Sequence, residues 1–423
     1  MISENASDCY VYITLPGTTE PVTAGRFTLT VTRQGVPQGR FIYGRTYLAR
    51  ADAVPLDPIE LKLAPRNYET VAFLGVFGAL RDASPDYWGR RVIQRHLALA
   101  QPGEMAYLLH SPDDRAGALG FGLNQAPPAP KRAFNQTLDL ATLQQVADAI
   151  DADEEQPSDA VHQQVENLLL VGTSMGGARP KAVVEDTEGL WIAKFNRSDD
   201  GWNSARVEHA MLMLARECGL ETAESRVIEV AGRDVLLVKR FDRKRTPQGY
   251  LRARMVSAMT LLRTEDTFRS RDKWSYVLLA EELRRVCSEP RHAARELFRR
   301  MCFNALISNT DDHPRNHALI ARERDWQLSP AYDLTPSVPV SLDRRDLAMQ
   351  CGDAGRLASA YNLLSQSTRF LLDDDDAAAM IAAMEEAVRA RWYPVARTAG
   401  VSERDCRAIA SAFAYPGFRH ERA

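Results

Sequence analysis

Asp311 and Asn316 stand five residues apart in Asn309-Thr310-Asp311-Asp312-His313-Pro314-Arg315-Asn316-His317, and Asp333 follows in Ala331-Tyr332-Asp333-Leu334. The D-x-x-x-x-N spacing can place a carboxylate on a substrate hydroxyl and an amide oxygen on a magnesium ion, the division of labour in phosphoryl transfer. Asp333 would be the second metal carboxylate. The residue types follow from the chemistry: Mg²⁺ takes oxygen ligands, and an attacking hydroxyl needs an acceptor for its proton. Taken alone, the stretch is equally a polar turn. Leu297, Phe298, Met301, Ala305 and Leu306 recur at helical spacing before it, and Asn309, Asp311 and Asp312 would end that helix.

The order of elements upstream gives the turn chemical meaning. Ser174-Met175-Gly176-Gly177-Ala178-Arg179-Pro180-Lys181 runs into the apolar Ala182-Val183-Val184, and a glycine-bearing loop entering a strand lets backbone N–H groups approach phosphates. It is neither a P-loop nor G-x-G-x-x-G. Trp191-Ile192-Ala193-Lys194-Phe195 reads as a strand with a lysine among apolar residues. Residues 205–219 read as a helix that buries Val207, Ala210, Met211, Leu214 and Ala215, ends at Gly219, and carries Glu208 on its second turn. Such a glutamate can hold a strand lysine, or it can be a solvated side chain. Residues 227–230 and 235–238 suggest a hairpin around Gly232-Arg233, and its second strand runs out into Lys239-Arg240-Phe241-Asp242-Arg243, where a hinge would expose backbone groups to an adenine edge. Each feature is common alone. Glycine loop, strand lysine, helix glutamate, hinge strand, D-x-x-x-x-N and metal aspartate, in that order, form the sequence of parts in protein kinases.

The elements that must position these residues predict an α+β protein: a small β-rich N-terminal subdomain, then a bilobal protein-kinase-like fold with a mostly helical C-terminal lobe. Residues 9–15, 26–32 and 39–43 carry strand patterns. Ser84 and Pro85 are placed to open a helix whose Trp88, Val92 and Leu97 share a face. Asp113-Asp114-Arg115-Ala116-Gly117 reads only as a polar turn. The proline cluster at 125–131 marks a boundary, so the expected division is 1–125, 132–255 and 256–423. Helices are expected at 138–150, 158–170, 256–263, 273–286, 290–308, 377–396 and 402–413. Asp373 to Asp376 suit a helix N-terminus rather than a metal site.

Composition bounds the partners. The 423 residues are 45% hydrophobic and 26% charged, with a net charge of −3, values of an ordinary globular protein that does not coat nucleic acid. Six scattered cysteines without a C-x-x-C pair suggest reduced packing residues. No stretch approaches the ~20 apolar residues of a membrane span, and a cytoplasmic location without membrane contact is expected.

Ser174 to Lys181, Arg240 to Arg243, Asn309 to Asn316 and Ser329 to Leu334 together resemble the HipA-type serine/threonine kinases, the toxins of type II toxin–antitoxin modules. Pro85-Asp86-Tyr87-Trp88-Gly89-Arg90-Arg91 and Asp114 to Leu119 resemble that family's N-terminal domain, so the resemblance spans nearly the whole chain. It implies an ATP- and Mg²⁺-dependent protein kinase, with an aminoacyl-tRNA synthetase as one class of substrate. It also implies a two-fold assembly with a helix-turn-helix, HipB-like antitoxin, and operator DNA reached through that partner. By the same resemblance Asp311 is the proton acceptor, Asn316 and Asp333 hold magnesium, and Lys194 contacts nucleotide phosphates. Gly176, Gly177, Ala178, Arg179, Pro180 and Lys181 form the phosphate loop, and Lys239, Arg240 and Phe241 the adenine-side hinge. His313, Arg315 and Tyr332 belong to the nucleotide site, Glu208 positions the lysine, and Ser174 is the autophosphorylated serine. Asp312 stands where some relatives carry glycine, which leaves two adjacent aspartates for the base; the spacing to Asn316 favours Asp311. Three rivals remain open: a small-molecule kinase of the aminoglycoside-phosphotransferase type, a metal-dependent hydrolase using Asp311, Asp312, His313 and His317, and a non-catalytic co-repressor acting with the antitoxin.

Overall fold

Alternating side chains build the first sheet. Strands β1 (Asp8–Thr14), β2 (Pro21–Val31), β3 (Pro37–Tyr43), β4 (Asn67–Thr70) and β5 (Leu119–Gly122) pair antiparallel in the order β4-β3-β2-β1-β5. In β3, Gly39, Phe41 and Tyr43 are buried while Arg40 and Ile42 face water, the period-2 pattern of a one-sided sheet. Phe41 meets Tyr43 and Phe77 edge to face, and a Cβ at Gly39 would fall 1.8 Å from the Gly75 carbonyl oxygen. The strands expected at 9–15, 26–32 and 39–43 are thus present, β2 beginning earlier.

The computed structural model describes residues 7–130, 134–136, 139–151, 179–197, 199–338 and 341–420. The chain forms two units: Met1–Arg197, Leu237–Val256 and Ile320–Asp325 make the first, and Ser198–Leu236, Ser257–Leu319 and Trp326–Ala423 the second. In the first, β6 (Asn135–Gln136) runs parallel to β7 (Lys181–Asp186), which pairs antiparallel with β8 (Gly189–Phe195). Asp186 Oδ1 accepts from the Glu188 and Gly189 N–H groups and from Trp191 Nε1, closing the β7–β8 turn. The helix expected to start at Ser84-Pro85 instead runs Tyr87–Leu97 with Asp86 at its N-cap. The reason is local. The Pro85 carbonyl accepts from the Arg81 and Arg90 guanidiniums, and the Asp86 carbonyl takes the first helical N–H, from Arg90.

In the second unit, helix Ser204–Glu217 is capped by Asn203, whose side chain accepts from the Arg206 N–H. It ends in a Schellman motif: Gly219 (φ +81°) donates to Arg216 and Leu220 donates to Ala215. Strand β9 (Ser225–Val230) is followed by β10 (Arg233–Lys239), whose last three residues are counted with the first unit, and both intervening residues, Ala231 and Gly232, have positive φ, as a type I′ hairpin turn requires. Helices Tyr276–Val286, Pro290–Leu306, Asp374–Thr398 and Glu403–Ile409 follow. Asp373 caps the third by accepting from the Asp376 N–H, which accounts for the acidic run. Helix Pro290–Leu306 is the centre of this unit. Its Leu297, Phe298, Met301, Ala305 and Leu306 are fully buried, as are most residues from Glu296 onward.

The Leu237–Val256 segment of the first unit is anchored by charge. Asp242 is 2% exposed and pairs with Arg240 at 2.8 Å and Arg243 at 2.7 Å, both guanidiniums being equally enclosed. The remaining donors of the two arginines reach the carbonyls of Asp114, Arg115 and Gly117, and the Gly117 N–H returns a bond to Asp242 Oδ2 at 3.0 Å. Gly117 needs φ +76° here, and a Cβ would meet the Met255 backbone at 3.2 Å. Burial by itself raises the Asp242 pKa, but Arg240, Arg243 and the Gly117 N–H reverse that and hold it well below the usual carboxylate range. The depressed pKa makes this contribution to stability fully present above the unfolded carboxylate's value and lost as pH falls through the folded one. Asp242→Ala should therefore lower unfolding stability by about 3–5 kcal/mol, because it strands two buried guanidiniums. Chemical denaturation at pH 7 measures the loss, and the gap between the variant and the wild type should narrow as the pH is taken below about 3.

Candidate functional site

The central helix carries the loop. After Leu306 the chain turns through Ser308, whose φ of +54° stops the helix, and the Ser308 carbonyl accepts from the Ser337 N–H at 3.0 Å. The Ser308 hydroxyl is fixed by Arg345 and by the Ala412 carbonyl. Asn309 is 1% exposed; its N–H donates to the Asn304 carbonyl at 2.8 Å and its Nδ2 donates to Asn304 Oδ1 at 3.0 Å. Pro314–Asn316 forms one 3-10 turn, and the strand Ala318–Ala321 that follows is buried throughout.

A second strut from the same helix sets Asp333. Glu296 and Arg300, 2% and 1% exposed, pair at 3.0 Å; Arg300 donates to the Ser329 carbonyl and Glu296 accepts from the Glu221 N–H. Ala331 then bonds with Glu221 and Ala223 through its N–H and carbonyl, two residues before Asp333. Asp333 itself has φ +60°, a left-handed conformation that an aspartate tolerates better than most side chains. Its carbonyl accepts from Asn309 Nδ2 at 3.5 Å, and the Tyr332 hydroxyl donates to the Arg315 carbonyl at 2.7 Å, so the two loops are tied.

Within this frame Asp311 is exposed, and Asn316 Nδ2 reaches the Asp311 carbonyl at 3.5 Å, which leaves the Asn316 amide oxygen available. Asp312 differs. It is 1% exposed and accepts from the Tyr276 hydroxyl and at 2.7 Å from His317 Nε2. Two oxygen donors suited to a hard cation, Asp333 and Asn316, thus lie with an exposed carboxyl at one loop pair. Two such donors are too few for a protein-only metal cage, and among the described residues no group of three or more His, Cys, Asp or Glu is placed to hold a metal.

Residues 173–392 match the family model described as the HipA-like C-terminal domain. The chain belongs to the HipA-like family. Two candidate kinases of Sinorhizobium fredii (strain NBRC 101917 / NGR234) are similar: Y4dM, 31% identical over 168 residues (37% of this chain, 39% of that protein), and Y4mE, 27% identical over 154 residues (36% and 37%). The chain therefore spans less than two fifths of the length of either relative. A chain from the complex of the Shewanella oneidensis MR-1 toxin–antitoxin system HipA, HipB and operator DNA matches with a TM-score of 0.68 at 17% identity, over 95% of this chain and 94% of that one. The HipA fold, mixed α and β with a β-rich N-terminal region and a helical C-terminal part, is the fold of this protein.

The other residues singled out in this HipA-like chain fall as follows. Lys181 and Lys194 face each other in register across β7 and β8, Lys181 only 2% exposed and Lys194 half-buried. Lys239 Nζ lies 5.3 Å from the Trp191 ring, Arg240 is enclosed by the Asp242 cluster, and the Phe241 carbonyl accepts from Arg322. Arg179 is half-buried and Pro180 buried, and the Pro180 carbonyl accepts from the Phe195 N–H. Glu208 is 5% exposed, not a solvated glutamate. His313 packs its ring 6.2 Å from Trp274, and Arg315 lies 3.8 Å from Asp266. Ser174, Gly176, Gly177, Ala178 and the helix expected at 158–170 lie outside the described residues. Sequence reasoning missed Tyr276, Asn304 and the part played by Asp114 and Arg115. The one available signal was a hydroxyl on the buried face of helix Tyr276–Val286, in phase with Leu279, Ala280 and Leu283.

The Asp311 carboxyl is pushed up from the ordinary aspartate range, first by desolvation, with His313 opposing and Asp333, Asp312 and Asp266 adding to the rise. Although the residue as a whole is exposed, the atoms packed around its carboxyl displace water. A raised folded pKa means that the folded state binds the proton more tightly than the unfolded chain, so the charged form is a liability above the folded pKa. Asp311→Asn should raise the Tm at pH 7. That gain should shrink as pH falls through the folded pKa toward about 4. Thermal melts across this range check the sign, and an unchanged or lowered Tm at pH 7 would contradict it.

Proposed function

We propose that this protein is an ATP- and magnesium-dependent serine/threonine protein kinase, the toxin of a toxin–antitoxin module. The observation that carries the reading is the assembly of Asp311, Asn316 and Asp333 at two tied loops of a chain belonging to the HipA-like family. The names of the Sinorhizobium relatives point the same way. Asp311, on the exposed side of the loop, accepts the proton of the attacking hydroxyl. Asn316 and Asp333 hold the cation through hard oxygens, a pair that leaves the rest of the coordination shell to phosphate and water. Magnesium and ATP, when bound, supply charge neutralisation and the transferable phosphoryl group.

Lys194 and Lys181, paired across two strands, are assigned to nucleotide phosphates together with Gly176 to Pro180. The family resemblance supports this, as it does the hinge at Lys239 to Phe241, the roles of His313, Arg315 and Tyr332 in the nucleotide site, Glu208 as the residue that positions Lys194, and Ser174 as the autophosphorylated residue. The partner in this reading is a HipB-like helix-turn-helix antitoxin that carries the assembly to operator DNA. The similar solved complex contains HipA, HipB and operator DNA. The substrate class is a protein hydroxyl, with an aminoacyl-tRNA synthetase the favoured kind. The hydrolase reading is disfavoured because Asp312 and His317, two of its four ligands, are bound to each other and buried.

Transfer of label from γ-labelled ATP, with magnesium, to the protein or to cell extract tests the reading. Asp311→Ala should lower kcat by about 10²- to 10⁴-fold. Asp333→Asn, which keeps a side chain suited to the left-handed backbone, should abolish transfer through loss of charge alone. Undetectable transfer by the wild type, or near-normal transfer by Asp311→Ala, would overturn the assignment. Mass spectrometry after incubation with ATP and magnesium should find phosphate on Ser174, whose charge would repel nucleotide phosphates and switch the enzyme off; modification only elsewhere would remove that part of the proposal.

A further inference from the structure

Asp312 is a buried acid one residue from the proposed base, and its surroundings give it a different task. Its carboxyl accepts from Tyr276 and, at 2.7 Å, from His317 Nε2, and the Tyr276 and His317 rings meet edge to face at 5.5 Å. Tyr276 is in turn approached by Asn304 Nδ2 at 3.2 Å, Asn304 Oδ1 accepts from Asn309, and Asn309 reaches the Asp333 carbonyl. The polar chain is therefore continuous: His317, Asp312, Tyr276, Asn304, Asn309, Asp333. The first five are at most 2% exposed.

Each proposed functional residue is gripped by this chain on its neighbours or on itself. Asp311 sits between Asn309 and Asp312, both pinned, with the Asp312 N–H on the Asn309 carbonyl at 3.4 Å. Asn316 directly precedes His317, whose ring is held by Asp312 and whose carbonyl accepts from the Ala258 N–H at 2.8 Å. Asp333 is held through its own carbonyl. Apart from His317 Nδ1, which is buried without a hydrogen-bond partner, these groups are bonded to one another, and a displaced member loses its partner with no water to replace it. Tyr276 and Asn304 stand on two different helices, so the loop is referenced to rigid elements on both sides.

We infer that Asp312, with Tyr276 and His317, is a positioning unit that sets the spacing of Asp311, Asn316 and Asp333, and is not an alternative base. The inference rests on the phosphotransferase reading for its catalytic consequence but not for its structural one. The test uses the full chain and the variants Tyr276→Phe, Asp312→Asn, His317→Gln and the double variant Tyr276→Phe/Asp312→Asn, with three measurements on each. Hydrogen exchange should rise at residues 309–317 while helix Asp374–Thr398 keeps its protection. For ATP-dependent phosphoryl transfer, kcat should fall about 10- to 100-fold with KM for ATP changed less than about threefold. The double variant should be no worse than the poorer single one, because the residues act as a unit. Unchanged exchange in the loop of all variants overturns the inference. So does a wild-type kcat in variants whose only change is a lower Tm, since that is what mere structural support would give. If the wild type transfers no phosphoryl group, the proposed function fails, while the exchange pattern still decides whether the network holds the loop.

Discussion

A charge withdrawn from water has to be recompensed by the protein groups around it, and Asp242 is where this constraint is most stringent. Two guanidiniums and one amide N–H surround a single carboxylate, and the surplus donors of the arginines are spent on three carbonyls about 125 residues away in sequence. The Leu237–Val256 segment is also held by apolar packing, since Leu237, Val238 and Val256 are buried, and by the Arg240 N–H on the Leu190 carbonyl, but apolar contacts have no preferred direction. Hydrogen-bonded ion pairs and carbonyl acceptors add direction, each with a narrow range of distance. The second unit uses the same device in Glu296 and Arg300, which clamp the backbone at Glu221 and Ser329.

Backbone strain occurs in the candidate site's loops, as it does at several positions elsewhere, Phe73, Leu74 and Leu371 among them. Ser308 and Asp333 both hold positive φ without being glycine, one where the helix stops and one at the proposed metal aspartate. Such conformations persist only where neighbouring bonds over-determine them, and both residues are bound through main chain or side chain to segments distant in sequence.

Much of this was legible in the sequence, and the parts that were not share a cause. Period-2 alternation found β1 to β3, and period 3.6 found the helix that buries Val207 to Ala215 and the central helix, because these patterns record which face is apolar. The spacing of Asp311 and Asn316 suggested their chemistry because both lie on one turn. Asp312 gave no sign of its partner Tyr276, 36 residues earlier, and Asp113 to Gly117 gave none of theirs at Arg240 to Arg243. Contacts between residues so far apart leave no period in the chain. The misplaced helix start at Ser84 has a related origin: capping preferences assume that a carbonyl is free for the helix, and two arginines had already taken that of Pro85.

The interleaving of the two units bears on how the protein is made. The first unit is not finished when its long N-terminal segment leaves the ribosome, for it still lacks Leu237–Val256 and Ile320–Asp325. Arg254, nearly enclosed, donates to the carbonyls of Pro55, Glu323 and Arg324, so its last acceptors are synthesised some 70 residues after it. At about 5–20 residues per second, that is an interval of roughly 4–14 seconds in which a buried guanidinium waits for its carbonyls. The second unit likewise waits for Trp326 onward. The first unit has all of its segments once Asp325 is made, so it can close while the second still waits, with segments of the second already threaded between its own, unlike domains that follow one another along the chain.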